Sequence, residues 1–343
     1  MSQSSAEMST STEKVTDTVT CVALPLPLPD LQVVNSYAVQ SPDGGVTLID
    51  PGWAYPQSET ILLGALDSLG YCARDVRRIV ATHQHWDHYS LGVKWRDQYG
   101  IELLLGREEQ HSIAAFLAQP DVVHPHQVGI LREAGAPDLA AEIDSLDWEP
   151  YERDVAFAPP DRWLDDGDVI DCGTTQIVVR ATPGHTRGGH IVFEDTHQGV
   201  IFTGDHLLPP RITPSIAFER APGKLPLRSY IDSLNLVLRL PDARMLPAHG
   251  TTARTTHARA QELLEHHETR LRQIGDLVAA GSSTALQVAS EMRWTRRERT
   301  LDELEIVHRM TAVLEVQSHL DLLEVRNVVT CSVVDGVRHF AVR

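Results

Sequence analysis

Thr82-His83-Gln84-His85-Trp86-Asp87-His88 sets three imidazoles and a carboxylate within six residues, directly after the apolar stretch Ile79-Val80-Ala81. That stretch predicts a buried strand, so the donors sit in a loop at a strand end. A loop that presents imidazoles at i and i+2 can close both on one borderline-soft cation. A carboxylate and an imidazole further along can turn toward a second. A lone histidine is usually a core or surface residue, since neutral imidazole is tolerated in many settings. Four donors in one short loop point to metal chemistry instead.

Working outward, three more donors recur at predicted strand ends: His185 in Thr-Pro-Gly-His-Thr, Asp205 in Phe-Thr-Gly-Asp-His, and His249 in Leu-Pro-Ala-His-Gly. Each follows a Gly or Ala, which permits close approach of the backbone. The chain has 17 histidines among its 343 residues, several of them clustered in short runs flanked by Asp and Gly. Set in this order, His-x-His-x-Asp-His, Pro-Gly-His-Thr, Gly-Asp-His and Pro-Ala-His-Gly resemble the metallo-β-lactamase superfamily, over about residues 18–255.

The resemblance implies an α/β fold, an αβ/βα four-layer sandwich with a two-metal cleft at one edge. It implies that His83, His85 and His185 hold one divalent ion, that Asp87, His88 and His249 hold a second, and that Asp205 bridges both. Zinc is the default ion, with iron or manganese as alternatives for the same donors. No cysteine stands in Gly-Asp-His, and Asp87 stands among the second-site donors, so the set looks more like the thioesterase and hydroxyacylglutathione-hydrolase branch than like true β-lactamases. The expected activity is therefore hydrolysis of a carboxylic thioester or ester of the acyl-CoA kind by metal-activated water. Single-strand RNA cleavage and lactone or β-lactam cleavage are the alternatives. Asp87 is also the expected catalytic acceptor of the water's proton.

Three weaker candidates border this set. Asp50, in Leu-Ile-Asp-Pro-Gly, either orients a ligand imidazole or simply forms a turn before Pro51. Arg211 and Ser215 lie in the Pro-rich loop after Asp205, where substrate contact competes with loop stiffening. His206 is expected to face away from the site, and His266 and His267 to be solvated.

The remainder sets the context. Alternating β-branched segments at Thr18–Leu28, 33–40 and 45–50 predict strands, and 58–71 predicts a helix. Residues 1–17 are polar, Ser/Thr-rich and without a basic start, which reads as a disordered tail rather than a secretion signal. Beyond about residue 255 the texture turns helical: a long amphipathic helix closed by Gly281, two more helices, and a hairpin turning at Asp335-Gly336. Residues 256–343 thus read as a winged-helix-like domain after a catalytic domain at 18–255. Arg293, Arg296, Arg297 and Arg299 form a local basic patch there, but lid, partner surface or homodimer contact is the preferred role. The formal charge of −17 disfavours a nucleic-acid partner. A small-molecule substrate is expected. Four scattered cysteines and the lack of an apolar run long enough to span a bilayer suggest a cytoplasmic protein without membrane attachment.

Overall fold

The computed structural model describes residues 12–28, 31–119, 123–149, 152, 155, 157–173, 175–186, 191–210, 212–216 and 223–343. Two sheets carry the fold. The first has seven strands in sequence order: β1 (Thr12–Lys14), β2 (Val19–Pro25), β3 (Val33–Gln40), β4 (Val46–Ile49), β5 (Val76–Val80), β6 (Glu102–Gly106) and β7 (Arg162–Leu164). β1 to β4 pair antiparallel, and β4 to β7 pair parallel. The second sheet runs β12 (Arg244–Pro247), β11 (Val200–Gly204), β10 (Ile191–Asp195), β9 (Gln176–Ala181), β8 (Val169–Asp171).

Strand alternation sorts the side chains into layers. Cys21, Tyr37, Val39, Ile49 and Val80 face Ile177, Val179, Phe193, Phe202 and Leu246 in the layer between the sheets. There Tyr37 meets Phe202 edge-on, ring centroids 5.3 Å apart. The intervening residues Val22, Leu24, Ala38, Leu48 and Ile79 face helices on the other side. Those helices are α1 (Pro56–Ser68), α2 (Trp86–Tyr99) and α3 (Gln110–Ala118). Met245 of β12 lies in the third cluster, with the helices outside the second sheet. The order helix, sheet, sheet, helix is the four-layer sandwich.

That outer helical layer draws on three distant parts of the chain. α4 (Pro125–Glu133) and α5 (Pro137–Asp144) come from the insertion between β6 and β7, and α6 (Pro226–Val237) precedes β12. α7 (Thr256–Ala279), α8 (Ala285–Glu291) and α9 (Ile306–Val325) complete it, followed by the hairpin β13 (Val329–Val334) and β14 (Val337–Val342). Leu131, Ile143, Leu234, Ile274, Val288 and Leu320 share a single apolar cluster. The hairpin turns at Asp335 and Gly336, with φ of 50° and 81°, and Arg338 pairs with buried Asp321 to fasten it onto α9.

Two expectations are corrected. Thr12–Lys14, read as part of a tail, adds an antiparallel edge strand to β2, and residues 1–11 lie outside the described residues. An edge strand can be this short and polar because only one of its sides pairs. His266 is exposed as expected, but His267 is fully buried. It falls in register with Leu263, Leu271, Ile274 and Val278 on the inner stripe of α7. All four cysteines are free thiols, and among the described residues no helix is long and apolar enough to cross a membrane.

Candidate metal centre

The seven donors arrive at one edge of the sandwich because the parallel pairs β4–β5 and β11–β12 all end there. β5 leads into His83 and His85. The loop is shorter than its sequence suggests, because α2 begins at Trp86 and holds Asp87 and His88 in its first turn. A carboxylate there also suits the positive end of the helix dipole. β11 delivers Asp205 and β12 delivers His249, while His185 follows β9 across Gly184. Gly184 has φ +133°, and a Cβ on it would lie 2.5 Å from Tyr230 Cβ and 2.6 Å from its backbone. Only glycine fits that turn.

Three groups of donors come within 4.8 Å of one another: His83, His85 and His185; His83, His88 and Asp205; and Asp87, His88 and His249. Asp205 stands between them. Its Oδ2 lies 3.5 Å from His185 Nε2, and its Oδ1 lies 3.3 Å from His249 Nε2 and 3.7 Å from His88 Nε2. Asp87 Oδ2 lies 3.4 Å from His249 Nε2 and 3.5 Å from His88 Nε2. These spacings are long for hydrogen bonds and suit donors arranged about shared cations.

Four imidazoles are held from behind. His185 Nδ1 donates to the Ser215 carbonyl at 2.8 Å, and His249 Nδ1 to the Val33 carbonyl at 2.7 Å. His88 Nδ1 donates to Asp50 Oδ2 at 3.0 Å, and His83 Nδ1 lies 3.0 Å from Thr82 Oγ1. The Thr82 hydroxyl donates in turn to Asp50 Oδ2 at 2.9 Å, and its N–H to Asp50 Oδ1 at 2.7 Å. With Nδ1 engaged, each Nε2 is the atom aimed inward. Such backing fixes ring orientation and tautomer at metal sites. Asp50 adopts φ 50°, an uncommon conformation for a non-glycine residue that its three bonds hold in place.

The electrostatics favour a cation. Burial opposes charge on His88, yet Asp87, Asp205 and Asp50 push its imidazole up to about 10. Burial likewise opposes ionisation of Asp87, but His88, His249 and His85 hold its carboxyl well below the usual range. The buried Nε2 atoms of His88 and His249 find no hydrogen-bond partner among the described residues, which is costly unless their lone pairs coordinate a cation. The donor set therefore fits divalent metal ions.

The weaker candidates resolve differently. Asp50 backs His88 directly and His83 through Thr82, a role for Thr82 that its Thr-His neighbourhood alone did not signal. Ser215 contributes its main-chain carbonyl to His185, so the shown contact is with a donor rather than with a substrate. Arg211 lies outside the described residues. His206 is buried against Tyr230, ring centroids 5.1 Å apart, and is not among the grouped donors. The sheets are pinned beside His249 by Tyr37 Oη donating to the Pro247 carbonyl at 2.6 Å and by Asn35 Nδ2 donating to the Pro247 and Gly250 carbonyls.

Comparison with known proteins matches this architecture. The structure superposes over 97% of the chain on 94% of a beta-lactamase domain protein from Burkholderia ambifaria, with a TM-score of 0.79 and 26% identity. The acyl-coenzyme A thioesterase MBLAC2 of Homo sapiens is 25% identical over 181 residues, 50% of this chain and 56% of the thioesterase. The chain thus spans little more than half the length of that relative. A hydroxyacylglutathione hydrolase of Bdellovibrio bacteriovorus is 25% identical over 231 residues, covering 64% of this chain and 82% of the hydrolase. The profile of the Metallo-beta-lactamase superfamily matches residues 29–249, from the strands that back the centre to its last histidine, and the chain belongs to that superfamily.

Proposed function

We propose that the protein is a hydrolase that cleaves a carboxylic thioester or ester of the acyl-coenzyme A kind with the help of two divalent cations. The observation that carries this reading is Asp205, whose two oxygens face two separate groups of donors. In this reading His83, His85 and His185 would hold one ion, Asp87, His88 and His249 the other, and Asp205 both. A bound ion pair of this type supplies a water of lowered pKa and an electrophile for the carbonyl oxygen. Zinc suits imidazole and carboxylate donors, and iron or manganese share them.

The chain's own residues do the rest. In this reading Asp87, whose Oδ2 lies 3.5 Å from His88 Nε2 and 3.4 Å from His249 Nε2, would accept the proton of the attacking water. The water oxygen bonds to the acyl carbon, the carbon–sulfur bond breaks, and a carboxylate, a thiol and a proton result. Asp50, Thr82, Val33 and Ser215 keep the imidazoles oriented throughout. Support for an acyl substrate comes from the names of the two curated relatives.

The test is a panel of acyl-CoA and other thioesters, simple esters, a lactone, a β-lactam and single-stranded RNA, assayed with protein whose metal content is measured by mass spectrometry. Thioester turnover that disappears in Asp205→Ala is expected. RNA or β-lactam cleavage with every thioester inert would overturn the assignment.

A further inference from the structure

Trp86 sits between His85 and Asp87, so its backbone is fixed at the centre itself. Its ring lies 5.9 Å from Trp53, 5.7 Å from Phe116 and 5.0 Å from Trp148, the last tilted by only 34°. Phe116 continues the contact to Phe157 at 4.7 Å. Trp53 is buried, but Trp86, Phe116, Trp148 and Phe157 are each only partly covered, and Leu117 beside them is 46% exposed. Aromatic residues make up just 6% of the chain, yet three of its six tryptophans and two of its six phenylalanines gather here.

We propose that this surface, formed by Trp86 at the start of α2, by Phe116 of α3 and by Trp148 and Phe157, is the binding site for an apolar acyl chain. The inference rests on the acyl-hydrolase reading above and names the substrate class within it. An acyl group extends from the carbonyl carbon that must lie at the donors, and the surface starts one residue from two of them. Rings in edge and tilted contact form a rigid wall that loses little freedom when covered. Methylenes laid against it leave water, and each fully buried one is worth about a fourfold change in affinity. The polar, thiol-bearing half of the substrate then faces away from the wall.

The experiment has two arms on the full-length protein. In the first, KM is measured for straight-chain acyl-CoA thioesters from acetyl to dodecanoyl, and it is expected to fall about two- to fourfold per added methylene until the wall is covered. Phe116→Ser flattens this dependence, and Phe116→Leu, which keeps an apolar side chain, preserves it. In the second, tryptophan emission is followed while decanoate or acetate is added, with no turnover required. Decanoate is expected to shift it and acetate to leave it unchanged. A KM independent of chain length together with emission indifferent to decanoate would overturn the acyl-chain site while leaving the hydrolase reading intact. Inert thioesters with a decanoate response that Phe116→Ser abolishes would support the site and reject the hydrolase reading.

Discussion

Asp50 Oδ2 accepts the Nδ1 proton of His88 at 3.0 Å and the hydroxyl of Thr82 at 2.9 Å, so one carboxylate steadies two inward-facing imidazoles. Asp50→Asn keeps the size but replaces one acceptor oxygen with a donor amide. Metal affinity is expected to fall about ten- to a hundredfold, the usual cost of losing such a partner. Competition with a chromophoric chelator measures it, and an unchanged affinity would show that the imidazoles hold their positions without help.

Asp205 is the only described residue whose two carboxylate oxygens each approach a different one of the outer donor groups. Asp205→Ala is expected to lower the number of ions bound per chain and to reduce activity by more than about a hundredfold, beyond the loss of an outer partner. Metal content after gel filtration, read beside the rate, checks both together. Retention of full metal content would reject the bridging role.

The turn before His185 tolerates no side chain. Gly184→Ala forces a Cβ against the backbone of Tyr230 at a φ of +133°. Stability is expected to drop by more than about 1 kcal/mol, and His185 to lose its place. Urea unfolding followed by circular dichroism gives the first number, and metal content the second.

Deep in the helical layer, His267 Nδ1 and His319 Nε2 lie 3.3 Å apart, and both rings are buried. Burial, helped by His319, His266 and Arg270, pushes the His267 pKa well below the ordinary value, and burial lowers that of His319 against the opposing pull of Glu315. These groups stay neutral in the fold but take up protons once unfolded. Their contribution is therefore intact above the ordinary histidine pKa of about 6.5 and is lost as pH falls below it, by up to about 1.4 kcal/mol per pH unit for each ring. The melting temperature is expected to decline between pH 7 and 5, and His267→Leu to make that decline shallower. Parallel pH profiles for the two proteins would dismiss the effect.

The motifs made much of the centre readable, because donors at the ends of strands are spaced by the strands and not by chance. Asp50 was readable only as one of two possibilities, since a carboxylate before proline serves a turn equally well. Thr82 and the carbonyls of Val33 and Ser215 carried no signal: main-chain acceptors are present at every residue, and only the packing of β3 beside β12 selects Val33. The burial of His267 could have been found, since it keeps step with Leu263 and Leu271 along α7. The aromatic wall could not, because Trp86, Phe116 and Trp148 are far apart in the chain and join only through tertiary packing.

The single apolar cluster shared by α4, α5 and the last three helices bears on how the protein is made. On the ribosome, helices of the β6–β7 insertion emerge more than a hundred residues ahead of the partners that cover them. Until α9 clears the exit tunnel, Leu131 and Ile143 present a greasy surface to the cell, the kind of exposure for which chaperones exist. A stop codon near position 255 would leave every metal donor in place and still produce a sticky, poorly folded product.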